Sequence, residues 1–291
     1  DVYKGQLMLV TGASGNVGRA VLDALVERGV RVRAAVSRPE RARLPASVHV
    51  VRLDFHDRAT FAATLDGVRG VFLMRPPAIA DTTATLNAFV RAAVDAGVEH
   101  VVFLSVEGAE KNKMVPHRAV EDELARTPVR WTLLRPGFFA QNLLTAYRED
   151  IAEDSRIYVP AGSGRVAWVD TRDVGFAAAR ILAEPDAHAN RAYTLTGDTT
   201  ADFAEVARLL SARLGRPIRY VPASVLGYMH HLRSRRKMPW AQVFVLTVLH
   251  TLLRYGSAAT PHADHALAAL CARAPRGIGA FIDDHVDELR S

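Results

Sequence analysis

The stretch Gln6-Leu-Met-Leu-Val-Thr-Gly-Ala-Ser-Gly-Asn-Val-Gly18 constrains this chain more than any other. Leu7 to Val10 is a short apolar run of the kind that forms a buried strand. It meets three glycines, Gly12, Gly15 and Gly18, spaced G-x-x-G-x-x-G. Apolar residues then recur at Val17, Ala20, Val21, Ala24 and Leu25 until Gly29, which predicts a helix with a glycine stop. Strand, glycine turn and helix in that order make the first half of a βαβ unit. Gly12 permits a tight turn, Gly15 lets the backbone approach a phosphate, and Gly18 allows close helix–strand packing. The helix N-terminus offers free N–H groups to a pyrophosphate. Gly12-Ala13-Ser14-Gly15-Asn16-Val17-Gly18 is therefore read as a dinucleotide-binding turn.

The same alternation continues. Strands are predicted at Val30–Val36, Val48–Leu53, Val71–Met74, Val101–Leu104 and Val129–Leu134. Between them come helices near Arg58, over Thr82–Ala96 and over Pro116–Leu124. Such alternation predicts an α/β fold with a doubly wound, Rossmann-type parallel sheet and ligands at the strand C-termini. Beyond Arg135-Pro-Gly137 the rhythm loosens: Phe138–Asn142 reads as the start of a helix, Tyr158–Gly164 as a turn-rich connector and Arg165–Val169 as a short strand. Asp170-Thr-Arg-Asp173 caps a helix through Leu182, and Ala192–Leu195 returns as a strand. From Thr199 onward helices dominate, with a strand-like Ile218–Val221. The expected division is a nucleotide-binding domain over 1–198, its connector near 150–165 contributing to a cap, and a smaller, mostly helical substrate-binding region over 199–291.

The strand tips carry the candidate cofactor contacts. An acidic residue at the end of the second strand would accept from an adenosine ribose 2′-OH; this chain instead has Ser37 and Arg38, with Arg41 and Arg43 close by. NADP(H) is thus expected over NAD(H). Asp54 and Phe55 follow the third strand as candidates for the adenine, Asp54 also being suited to cap the next helix. Met74, Arg75, Ser105 and Pro136 close later strands and join the cofactor set. Substrate contacts are expected from the loops above, at Val106, Glu107, His117, Phe138, Phe139, Asn142 and Trp168. The helices between Val225 and Tyr255, with Met229 and Trp240, are candidates to close the pocket, and such groups suit a flat apolar substrate.

Composition removes other classes. At 291 residues and 49% hydrophobic content the chain can bury a full core, and no apolar run reaches a membrane span, since Trp240–Leu253 is broken by Gln242, Thr247 and His250. A membrane partner is not expected. Cys271 alone rules out a disulfide framework or a cysteine metal site, and His230, His231, His250, His262 and His265 have no Asp, Glu or Cys partner at ligand spacing, so no metal is expected. A net charge of +6 raises the question of nucleic acid, yet only His230–Lys237 is densely basic, and a small-molecule substrate is the expected partner, with oligomerisation open. No signal-peptide pattern precedes the first strand, which leaves the cytoplasm as the expected location.

Together Thr11–Gly18, Asp54-Phe55, Leu104-Ser105, His117-x-x-x-Glu121, Leu134-Arg-Pro-Gly-Phe138 with Asn142, and Asp170-Thr-Arg-Asp-Val174 resemble the atypical short-chain dehydrogenase/reductases, in the NmrA-like and NAD(P)H-quinone-reductase-like branch. Arg254–Thr260 and Pro275–Phe281 match that family's C-terminal pattern. Typical short-chain dehydrogenases carry Tyr-x-x-x-Lys, whereas none of the seven tyrosines here is followed by Lys four positions on, and His117 and Glu121 stand where that pair would lie. The resemblance implies an NADPH-dependent oxidoreductase passing hydride to a conjugated or aromatic acceptor such as a quinone, an enone or a polyketide-derived ring. His117 is read either as a proton donor, with an ordinary pKa near working pH, or as a structural group that bonds Glu121 or a backbone carbonyl and positions the loop after Ser105; Ser105 joins it as a catalytic candidate. Two alternatives stand beside this reading: a redox-sensing regulator that binds NADP(H) without turnover, and a non-reductive biosynthetic enzyme that keeps its cofactor.

Overall fold

A computed structural model describes residues 5–256 and 265–290. Ser257–Thr260 of the C-terminal pattern, and His262, lie outside the described residues. The chain divides into two units: one comprises residues 1–136, 171–195 and 266–273, the other 137–170, 196–265 and 274–291. The division is interleaved along the chain, so no single boundary near residue 198 separates the two.

The first unit is a seven-stranded sheet whose strands we number β1 to β7: Leu7–Thr11, Arg31–Val36, His49–Arg52, Val68–Met74, His100–Leu104, Arg130–Pro136 and Arg191–Leu195. Their spatial order is β7-β6-β5-β4-β1-β2-β3, and every neighbouring pair is parallel. This is the Rossmann-type doubly wound sheet, with the order reversing beside β1. Val10 is the register pivot there, opposite Ala34 of β2 and Phe72 of β4. Helices α1 to α5 span Asn16–Glu27, Ala59–Leu65, Leu86–Asp95, Pro116–Arg126 and Thr171–Ala183. Phe61 and Leu65 of α2, Phe89 of α3 and Leu124 of α4 share one buried cluster with Leu9, Val71 and Phe103 of the sheet. Helix α1 packs instead on α5. Gly175 makes that approach possible, since a Cβ there would lie 2.5 Å from the Ala20 backbone.

The second unit is mainly helical, with helices at Phe203–Leu214, Val225–Ser234, Trp240–Leu253, Ile278–Asp284 and Val286–Arg290. Its short strands are Arg165–Val169, antiparallel to Thr200–Asp202, and Arg156–Val159, parallel to Arg219–Pro222. The helix expected from Phe138 does not form. Phe138 and Phe139 pair with Trp168 and Val169 as a two-residue strand, and a short 3-10 turn follows over Ala140–Leu143. Tertiary pairing overrides local preference here, because a strand partner satisfies the backbone that follows the break at Gly137.

Candidate active site

The glycine turn is built as its residue types require. Gly12 takes φ +62°, a left-handed conformation that favours glycine, and a Cβ on it would meet the Met74 side chain at 2.3 Å. At Gly18 a Cβ would lie 2.2 Å from the Gly12 carbonyl oxygen, so only glycine lets α1 start this close to β1. The Gly15 amide closes the turn on the Gly12 carbonyl at 2.9 Å. Ser14, Gly15 and Asn16 are exposed, and Ala13, Val17 and Gly18 are buried behind them. Helix α1 has neither a side-chain cap nor an acidic residue in its first turn. Its positive end therefore meets no built-in anion, which fits an exogenous pyrophosphate. Thr11 ties the turn to the neighbouring strand β4 by accepting the Met74 amide on Oγ1 at 2.9 Å.

At the C-terminal end of β4, Arg75 folds back over its own loop and donates to the carbonyls of Pro76, Pro77 and Ile79. Its Nε–H also donates to His117 Nε2 at 3.4 Å. Arginine can only donate, so Nε2 must accept, and the proton of the neutral ring sits on Nδ1. That Nδ1 is buried without a hydrogen-bond partner. Burial, reinforced by the Arg75 charge and opposed by Glu121, pushes His117 down to about 4. The expectation of a histidine that titrates near working pH is thereby corrected. His117 is a neutral imidazole whose one N–H donor is buried and unpaired.

One turn further along α4, Glu121 is fully engaged. Arg135 grips it bidentately, Nε to Oε1 at 2.9 Å and Nη2 to Oε2 at 2.7 Å, and Ser105 donates its hydroxyl to Oε1 at 2.6 Å. Glu110 flanks Arg135 at 3.4 Å. The hydrogen bonds to Glu121 raise the Arg135 pKa. Ser105 and Glu121 are both buried, so this cluster braces the end of β5 against α4 and β6. Arg135 was not anticipated as a site residue; the signal was there, because a carboxylate on the inner face of an amphipathic helix needs a cation. The loop after Ser105 is pinned by the Glu107 amide donating to the Pro136 carbonyl at 3.1 Å, and Val106 and Glu107 are half-buried.

The adenosine end is open. Ser37 and Arg38 are exposed at the tip of β2, followed by a short turn over Pro39–Arg41. Asp54 accepts the His56 amide at 3.0 Å, and Phe55 is buried edge-on against Phe89 with ring centroids 5.3 Å apart. In the second unit Phe138 and Trp168 meet edge to face at 5.2 Å inside the core, and Trp168 donates its indole N–H to the Ala201 carbonyl at 3.0 Å. Phe139 and Asn142 stay half-buried.

A glycine-turn parallel sheet with an uncapped first helix defines a dinucleotide-binding protein of the Rossmann class. Residues 4–245 match the NmrA-like family, and the chain belongs to it. It is 36% identical over 221 residues to the NAD(P)H azoreductase of Xenophilus azovorans, covering 74% of this chain and 76% of that one. Among solved structures it is similar to the NADPH-dependent quinone oxidoreductase QOR2 of Escherichia coli complexed with NADPH, with a TM-score of 0.84, 24% identity and coverage of 97% and 100%. The triphenylmethane reductase of Citrobacter sp. complexed with NADP(H) superposes with a TM-score of 0.83, 24% identity and coverage of 96% and 99%.

Proposed function

We propose that this chain is an NADPH-dependent reductase of conjugated aromatic acceptors, quinones or azo compounds foremost. The observation that carries the reading is His117: a neutral, half-buried imidazole held by Arg75, whose buried Nδ1–H has no partner among the described residues. The azoreductase relative supports the acceptor class. When bound, the nicotinamide cofactor supplies hydride. Gly12, Ala13, Ser14, Gly15, Asn16, Val17 and Gly18 hold its pyrophosphate on backbone N–H groups, Ser37 and Arg38 receive the 2′-phosphate, Asp54 and Phe55 border the adenine, and Met74, Arg75, Ser105 and Pro136 border the nicotinamide half. Val106 and Glu107 remain the proposed substrate contacts of the first unit.

His117 orients the acceptor by donating Nδ1–H to a carbonyl oxygen or azo nitrogen, where negative charge builds as the acceptor is reduced. A donor fixed in advance needs no reorganisation, and a conjugated acceptor spreads its new charge, so a strong acid is unnecessary and water can deliver the proton. Glu121 does none of the work of a lysine beside a ribose, because Arg135 and Ser105 already occupy both its oxygens. The test is the loss of NADPH absorbance when the purified protein is mixed with a panel of quinones, enones and azo dyes, with NADPH binding titrated alongside. Acceptor-dependent oxidation is expected. Tight NADPH binding with no oxidation by any acceptor would contradict the proposal.

A further inference from the structure

The helix Trp240–Leu253 is turned inside out. Over its 14 residues it carries no Asp, Glu, Lys or Arg. Two of its polar side chains point inward: Thr247 and His250 are buried, the former bonded back to the Val243 carbonyl at 2.7 Å and the latter to the Tyr147 hydroxyl at 2.5 Å, while Gln242 is exposed at its start. The outward residues are Trp240, Phe244, Val245, Val248, Leu249 and Leu252, each between 42% and 64% exposed. Tyr255, just past the helix end, and Leu226, on the adjoining helix Val225–Ser234, are exposed at 77% and 78%. At roughly 150–250 Å² per large side chain, the face presents on the order of 800 Å² of apolar surface. A monomer's largest apolar patch is about 300–600 Å², whereas a standard interface buries about 800 Å² per partner.

We infer that this face is the interface between two copies of the chain, formed by an antiparallel pair of these helices about a twofold axis near Val248. Three features favour a second copy. The area matches one side of a stable dimer. Val245, Val248, Leu252 and Tyr255 are spaced 3, 4 and 3 residues apart, the seam by which one helix receives another. A twofold axis makes the patch its own complement. Charge agrees with this arrangement. The basic stretch before the helix is largely answered within its own unit: Arg235 pairs with Asp154 at 2.6 Å and Glu153 at 3.2 Å, Arg236 with Glu149 at 3.0 Å, and Arg233 lies over the Trp240 ring at 5.9 Å. Antiparallel packing sends the two basic ends to opposite sides, more than ~20 Å apart by helix length and well beyond the Debye length of about 10 Å.

The experiment is the mass of the full chain in solution by light scattering. Wild type should weigh twice 31.8 kDa, and Val248→Glu with Leu252→Glu should halve that mass while leaving the circular dichroism spectrum and melting temperature in place, since both positions are solvent-facing in the single chain. Val248→Cys should link two copies under mild oxidation, Cys271 being buried. A wild type that stays monomeric at tens of micromolar overturns the inference, as does a dimer unmoved by the double substitution. A monomer that floats with phosphatidylserine vesicles, and ceases to float when Val248 and Leu252 are replaced, would assign the face to a lipid surface instead.

Discussion

His117 and His250 are driven to the same state by the same force and put to different uses. Burial pushes each down to about 4, and each accepts a hydrogen bond on Nε2, from Arg75 in one case and from the Tyr147 hydroxyl in the other. The difference lies in Nδ1. In His250 it donates to the Leu246 carbonyl at 2.7 Å, completing the ring's hydrogen bonds among Phe138, Tyr147 and Tyr228. In His117 it donates to nothing. A third buried histidine sharpens the point. His100 faces the Thr132 hydroxyl at 2.8 Å, and that hydroxyl is already donating to the His188 carbonyl. His100 must therefore donate through Nε2, and its unpartnered Nδ1 is an acceptor lone pair, not a stranded N–H. A depressed histidine pKa marks burial; the stranded donor is what sets His117 apart from His250 and His100.

The comparison can be broken first at His250. His250→Ala removes packing and strands the Tyr147 hydroxyl, and should cost about 2–4 kcal/mol of stability, read from denaturant midpoints. Turnover per folded molecule should stay within twofold. His117→Ala should do the reverse, lowering kcat about 10–100-fold for loss of one donor at the developing charge, with stability and NADPH affinity nearly unchanged. His117→Asn, whose side-chain amide can present N–H where Nδ1 stood, should recover part of the rate. If both substitutions cost stability alone, His117 is as structural as His250. A smaller effect is expected at the far end of the same site: Arg38→Ala should weaken NADPH by about tenfold and NADH little, as befits one exposed guanidinium on a phosphate. Equal losses for both cofactors would remove the 2′-phosphate assignment.

The sequence carried the sheet well, because parallel strands buried on both faces leave continuous apolar runs, and because Gly12 and Gly18 are dictated by local sterics. His117-x-x-x-Glu121 was likewise readable as one helix face. What those residues do was not. Burial depresses His117 most and the charge of Arg75, 42 positions away, adds to it, while Glu121 is claimed by Arg135 across strands that only the fold brings together. Phe138–Asn142 misled for a similar reason, since its true partner is Trp168. Trp240–Leu253 was legible as apolar, but not that Thr247 and His250 would be buried while Phe244, Val245 and Val248 face out.

The central claim is that His117 works as a neutral donor, and the pH dependence of kcat tests it most directly. A histidine lowered to about 4 stays neutral as pH rises from 5.5 to 8, so the rate of acceptor-dependent NADPH oxidation should be flat across that range and fall only as pH drops toward 4. A rate that declines as pH rises through 6.5–7, with that limb abolished in His117→Ala, would contradict the account, since it would make the imidazolium the acid.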